Sequence, residues 1–275
     1  MRRIRFVDIS IFVLKYIFNW RFWIAEITKK SKIYKKFIDK MLFEEDEIVV
    51  VPNTVNINKK IESEGSEFLP TDIIKEVVKR SEDIVIMNTC LCRESNDCQD
   101  YPHDIGCIFL GPTTRKIPNH IGKKATVDEA LAQIDKADEA GLTHIIGRNK
   151  IDTIWMNIRP GKGLLTICHC CPCCLWKVYP NLDEDISDKI EKLNGVEIKL
   201  HEDNCKHCMK CLDDICMYGS ISLENNKITI DYDTCKGCGL CVNACKFDAI
   251  TIDYTAKTID NIVNRIDDLI EIKEL

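Results

Sequence analysis

The sequence predicts an α+β protein, with an α/β, cysteine-rich N-terminal domain followed by a second, small cysteine-rich domain. Three observations predict it. Short apolar or alternating runs at 47–51, 83–88, 143–147, 153–158 and 164–167 read as strands. Between them, apolar side chains recur at helical spacing, as at Ile73, Ile74, Val77 and Val78, and again at Ala130, Leu131, Ile134 and Ala137. The seventeen cysteines fall in tight groups. The expected organisation is a basic amphipathic helical N-terminus (1–44), the cysteine-rich α/β domain (45–180), a linker helix (181–195), the small domain (196–254) and a C-terminal helix (255–275).

Residues 4–27 place Ile4, Val7, Ile11, Leu14, Phe18 and Ala25 on one helical stripe and hold seven of the chain's twenty aromatics. Charges interrupt every stretch long enough to span a bilayer. Net charge is −6, yet residues 1–41 carry +8, leaving −14 for the rest. The first segment therefore faces a different partner from the remainder: a membrane surface or docking protein, or else the chain's own core. Thr71 is expected to cap a helix, and Thr126 with Glu129 forms a capping box for another that Gly141 ends. A hairpin is expected about Asn225-Asn226, with strands at 196–200 and 247–252 around it. No secretory signal is legible, so the cysteines read as metal ligands in a reducing cytoplasm, with peripheral membrane attachment as an option, rather than as disulfides. Neither a P-loop, a G-x-G-x-x-G run nor a Ser/His/Asp signature occurs, and nucleic acid is not an expected partner.

Two runs of C-x2-C-x2-C, each followed by a lone cysteine, span Cys205 to Cys245. This is the ligand pattern of two [4Fe–4S] cubanes, each taking three thiolates from one loop and the fourth from the other half. The expected sets are Cys205, Cys208, Cys211 and Cys245, and Cys235, Cys238, Cys241 and Cys216. Zinc is the competing metal for C-x2-C pairs. Over 196–254 the chain resembles bacterial-type dicluster ferredoxins. It departs from their pattern in a four-residue gap from Cys211 to Cys216, and in Met217 and Lys246 where proline usually follows the lone cysteine.

Nine cysteines remain. Cys90, Cys92, Cys98 and Cys107 have the makings of one site, iron–sulfur or zinc, with Arg93 as a cation beside the thiolates. Cys168, Cys170, Cys171, Cys173 and Cys174 follow, too close together to serve one metal alone. They either share the first group's centre or build another, and His144 and His169 are either further ligands or satisfied polar residues. Arg148 and Lys150, in Gly147-Arg148-Asn149-Lys150, are candidate anion ligands in a turn. The combination of this cysteine-rich half with the small domain resembles a family of archaeal and anaerobic-bacterial 4Fe–4S binding proteins. That resemblance implies redox cofactors and anaerobic metabolism, and no particular substrate.

The first expectation is thus an electron-transfer protein with two [4Fe–4S] clusters, one or two further iron–sulfur centres or a zinc ion, and a redox partner protein. The first rival is an iron–sulfur oxidoreductase, of reductase or desulfurase type, acting on a small anionic substrate. The second is a ferredoxin domain on a structural zinc domain.

Overall fold

The computed structural model describes residues 6–42, 48–51, 70–148, 150–172, 175–193 and 195–254. Cys173, Cys174, Asn149, the loop expected at 53–65 and the helix expected over 255–275 lie outside these.

Three helices open the chain: α1 (Phe6–Phe18), α2 (Arg21–Lys30) and α3 (Lys32–Leu42). The single stripe expected over 4–27 is cut at Asn19-Trp20 into two helices. Of its described residues, Val7 and Ala25 are buried and Ile11, Leu14 and Phe18 half-buried, while Ile4 lies outside the described residues. Next come β1 (Ile48–Val51), α4 (Pro70–Lys79), β2 (Ile84–Met87), α5 (Leu91–Ser95), β3 (Ile108–Leu110) and β4 (Gly122–Lys124). They are followed by α6 (Val127–Glu139), β5 (Thr143–Gly147), α7 (Lys150–Met156), β6 (Leu165–Cys170), α8 (Glu184–Ser187) and β7 (Ile190–Lys192). The small domain contributes β8 (Val196–Leu200), β9 (Ile221–Glu224), β10 (Lys227–Ile230), α9 (Leu240–Ala244) and β11 (Ile250–Tyr254).

Among the described residues, seven strands form one sheet in the order β4-β2-β3-β6-β5-β1-β7. Every neighbouring pair is antiparallel except β1 with β7. Because side chains alternate across a strand, the sheet buries two separate apolar faces. One packs Ile84, Ile108, Ile146 and Ile167 against Ile73 and Val77 of α4 and Ile134 of α6. The other packs Val85, Met87 and Phe109 against Val7 of α1 and Trp155 and Met156 of α7. Further along that second face, Val50 and Ile145 meet Ala25 of α2. A sheet covered on both sides is what the nearly continuous apolar runs of β2 and β3 require.

The small domain pairs β8 with β11 and β9 with β10, both antiparallel. Asn225 and Asn226 turn the hairpin with φ of 48° and 62°, the left-handed conformation that a two-residue turn needs and asparagine tolerates. The capping box of α6 is complete, and Gly141 follows at φ 72°.

Four expectations fail locally. Most of 153–158, read as a strand, belongs to α7, which ends at Met156, because the short apolar run Ile151, Ile154, Trp155 fits either period. The linker helix expected at 181–195 is one turn, α8, followed by β7, which the free edge of β1 recruits in parallel. Thr71 sits inside α4 rather than capping it, and its hydroxyl faces Asp138 at 3.4 Å. The closing strand starts at Ile250, three residues later than read.

Gly106 lies where β2 and β3 converge, and a Cβ there would stand 2.4 Å from the Met87 carbonyl oxygen. Gly106→Ala should therefore push the two strands apart and lower stability by about 1–3 kcal/mol in anaerobic urea unfolding. An unchanged midpoint would show that the close approach is not required.

Candidate metal centres

The small domain builds two alike loops. In Cys205–Cys211 the backbone turns left-handed at His207 (φ 50°) and Met209 (φ 60°). In Cys235–Cys241 it does so at the matching positions, Gly237 (φ 64°) and Gly239 (φ 77°). The second loop uses glycine where this conformation is free, whereas the first holds it with non-glycine residues. Alternating right- and left-handed residues turn successive N–H groups inward and make a nest for negative charge. Backbone N–H bonds from Gly237 and Leu240 act on the Cys235 and Cys238 thiols, favouring their ionised form.

Each loop closes a cavity with the expected fourth cysteine. Cys205, Cys208, Cys211 and Cys245 line one, together with Met209 and Phe247. Cys235, Cys238, Cys241 and Cys216 line the other, with Tyr218 and Ile198. The extra residue between Cys211 and Cys216 is taken up by a turn with Asp214 at φ 57°, and Cys216 still reaches its cavity. Burial pushes the Cys238 thiol up to about 12 and the Cys241 thiol well above its usual range. Such thiols stay protonated near neutral pH unless a metal replaces the proton. Among the described residues no three His, Cys, Asp or Glu side chains close on a single-ion point. Four thiols spread around a cavity, with N–H groups aimed at their sulfurs, suit a cubane, whose ligands surround a cube rather than one ion.

The sheet gathers a third group of thiols. Cys90 and Cys92 flank the start of α5, and their side chains hydrogen-bond each other. That bond, from Cys92, together with Arg93 nearby, holds the Cys90 thiol down at about 6 against its burial. Cys107 immediately precedes β3, and the antiparallel register Ile108↔Ile167 sets it beside Cys168 of β6, with the two sulfurs 3.3 Å apart. Cys168 in turn bonds Cys170, two residues along the same strand face. Hydrogen bonding to Cys168 and then burial push Cys107 well above its usual range, and the charge of Cys90 is felt there too.

Cys98 is buried next to this group, and Cys92 packs against its cluster. Cys98 itself packs with Cys171, Ile105 and Leu142 in a neighbouring apolar cluster. Of the second run of cysteines expected from sequence, Cys168 and Cys170 stand beside Cys107, as the sharing of one centre by the two runs would require. Cys171 is wholly buried next to the group, and Cys173 and Cys174 lie outside the described residues.

Arg93 lies beneath these thiols with no exposed surface. Its Nε donates to the Pro102 carbonyl at 2.8 Å, one terminal nitrogen donates to the His169 carbonyl at 2.7 Å, and the other donates to the Ile105 carbonyl. Burial alone would weaken its charge, but Cys90, Cys171, Cys170 and Cys107 more than restore it. The cation expected beside the thiolates is therefore present, and it also ties three backbone segments together.

Two residues that the sequence reading passed over stand beside the same thiols. Asp152 of α7 is half-buried, accepts from Trp155 Nε1 at 3.0 Å and Thr166 Oγ1 at 2.8 Å, and is held above the usual carboxyl range by desolvation. Tyr179 is pushed up by burial and by Cys168 and Cys170. Reading 153–158 as a strand hid Asp152, since only a helix swings it back over β6.

His144 and His169 are on the opposite sheet face, as strand alternation requires. Their Nδ1 atoms meet at 2.9 Å, and His144 Nε2 bonds Asp138 at 2.7 Å. Burial, then His144 and Arg93, hold His169 well below the usual range, so it stays neutral. Arg148 follows β5, and Lys150 begins α7 rather than sitting in an open turn. Burial, then Lys40 and Arg159, hold Lys150 below its usual range.

Arg93→Met would strip three carbonyls of their donor and remove the cation. A loss of about 3–5 kcal/mol in urea unfolding is expected, with Arg93→Lys recovering only part of it because an ammonium cannot span three carbonyls. Equal stability of Arg93→Met and the unaltered protein would refute the role given to this residue.

Comparison with known proteins bears on the small domain. Residues 228–251 match the family model of the 4Fe-4S binding domain. The chain is similar to pyruvate synthase subunit PorD of Methanocaldococcus jannaschii, 43% identical over 53 residues, which is 19% of this chain and 60% of that protein. It is also similar to pyruvate synthase subunit PorD of Methanothermobacter marburgensis, 41% identical over 54 residues, 20% of this chain and 62% of that protein. The chain thus spans about three fifths of the curated relatives it matches. No solved structure matches the chain at a significant level. Behind the seven-stranded sheet, the small domain of this protein is an iron–sulfur, 4Fe–4S binding domain of the ferredoxin type.

Proposed function

We propose that the chain is a three-centre electron relay. In this reading Cys205, Cys208, Cys211 and Cys245 hold one [4Fe–4S] cluster, and Cys235, Cys238, Cys241 and Cys216 hold a second. Cys90, Cys92 and Cys107, with Cys168 or Cys170, hold a third iron–sulfur centre on the sheet. Each cluster supplies a store for one electron. The protein supplies spacing, burial and hydrogen bonds to sulfur, which set the potentials.

One observation carries the proposal. The Thr143 hydroxyl donates to the carbonyl of Cys238 at 3.0 Å, and Thr143 pairs with Cys170 in the β5–β6 ladder. The second ferredoxin loop is therefore joined to the thiol-bearing strand through one hydroxyl and one strand pair. Met217, Tyr218 and Cys238 also pack into the same cluster as Cys168 and Cys170. The first loop is the outward one, since Cys208 is exposed. In this reading a redox partner protein exchanges electrons at Cys208, and the sheet centre is the inner terminus.

A second reading makes the sheet centre catalytic. It draws on Asp152 and Tyr179, a half-buried acid and a buried phenol beside the thiols, and on the cations Arg148 and Lys150 as the hold for a small anion. An under-ligated iron would be needed there, and the surplus of thiols around Cys107 argues for a fully ligated centre instead. A zinc-braced domain would need side chains that meet at one ion, and none of the described residues provides that point.

Thr143→Val removes the bridging donor and keeps the side-chain shape. After flash reduction, electron equilibration between the ferredoxin clusters and the sheet centre should slow severalfold, with iron content unchanged. EPR of the fully reduced protein should show signals broadened by magnetic coupling between neighbouring clusters. An unaltered equilibration rate, or a reduced spectrum that is the plain sum of isolated clusters, would contradict the relay.

A further inference from the structure

The first three helices lie over the sheet face that carries the thiols, with α1 against α5 and α7, and α2 against α3 and the segment 175–181. Their inner residues are the stripe read from sequence. Many of their outer residues are large and apolar as well. Phe6, Ile9, Phe12 and Tyr16 of α1 are exposed, then Trp20 and Trp23, then Ile33, Tyr34 and Phe37 of α3. Phe12 keeps 73% and Ile33 82% of its surface in solvent. Because all three helices cover one sheet face, their outer sides share one side of the molecule. An exposed apolar surface this extensive marks an interaction site.

We infer that this face is a monotopic membrane-binding surface that lies on anionic phospholipid. Three features choose lipid over other occupants. The residues are those of a bilayer interface: two tryptophans, edge-on to each other with ring centroids 5.9 Å apart, and two tyrosines, set among phenylalanine and isoleucine. The same segment, 1–41, carries +8 while the rest carries −14, and Lys30, Lys32 and Lys36 are exposed on α2 and α3. A polybasic rim is drawn to an anionic leaflet, and the acidic remainder is left facing water. The charge also disfavours a second copy of this chain, since a two-fold contact would set each basic patch against itself. Among the described residues no helix is long and apolar enough to cross a membrane, so the helices lie in the interface plane. The iron–sulfur reading is not needed for this inference. If both hold, the sheet centre lies just beneath the lipid-bound layer and the Cys208 loop on another part of the molecule.

The test is flotation of the anaerobically purified full chain with vesicles of pure phosphatidylcholine and of phosphatidylcholine with phosphatidylglycerol. Sedimentation equilibrium is run in parallel without lipid. The protein should float with anionic vesicles, and brominated acyl chains should quench its tryptophan fluorescence. Lys32→Glu with Lys36→Glu, both at exposed positions, should weaken anionic binding by about tenfold or more. Phe12→Ser with Trp23→Ser should abolish quenching while iron content and the reduced EPR spectrum stay unchanged. Failure to float with either vesicle overturns the inference, as does a lipid-free dimer that the Phe12/Trp23 variant dissociates. Flotation that ignores both pairs of substitutions overturns it equally.

Discussion

The structure depends on a buried cation that, among the described residues, hydrogen-bonds carbonyls and no carboxylate. Arg93 spends all three of its hydrogen bonds on the neutral carbonyls of Pro102, Ile105 and His169. A charge taken wholly out of water costs several kcal/mol unless an opposite charge lies close. The groups able to supply one here are the thiols that raise its affinity for its proton, those of Cys90, Cys171, Cys170 and Cys107. The Cys90 thiol is already held down at about 6, whereas those of Cys107 and Cys170, held above their usual range, ionise when a metal takes the proton's place. Arginine and thiols thus form one interdependent set, to which the proposed reading adds iron, and the seven-stranded sheet brings these side chains together.

Register explains how. Cys107 and Cys168 are 61 residues apart and meet because β3 and β6 pair with Ile108 opposite Ile167. A slip of one residue would turn Cys168 and Cys170 to the face where His169 and His144 now bond each other. The same ladder carries Thr143 opposite Cys170, and the Thr143 hydroxyl is the polar link to the Cys238 loop. One sheet therefore assembles the third group of thiols and sets its distance from the ferredoxin domain.

Local chemistry was legible in the sequence and long-range pairing was not. The C-x2-C-x2-C loops could be read because ligand spacing is confined to seven residues, and the fourth cysteine of each set does line the expected cavity. The capping box at Thr126 and Glu129 and the Asn225-Asn226 turn were legible for the same reason. The grouping of the other thiols was not. Only the β3–β6 register reveals Cys168 as the neighbour of Cys107, 61 residues away. Asp152 was missed because a short apolar run fits helix and strand equally, and tertiary contact with β6 decides between them. The single stripe read over 4–27 is cut into two helices, and periodicity could not say that large apolar side chains such as Phe12 and Trp23 would remain uncovered.

The central claim is that the thiols around Arg93 hold iron in addition to the ferredoxin clusters. Iron and acid-labile sulfide per chain, measured on anaerobically purified protein beside its Cys107→Ser variant, test it most directly. About twelve of each in the unaltered protein, falling to about eight in the variant with the ferredoxin signals intact, is the predicted result. About eight in both would contradict the account and leave the buried arginine without its counter-charge.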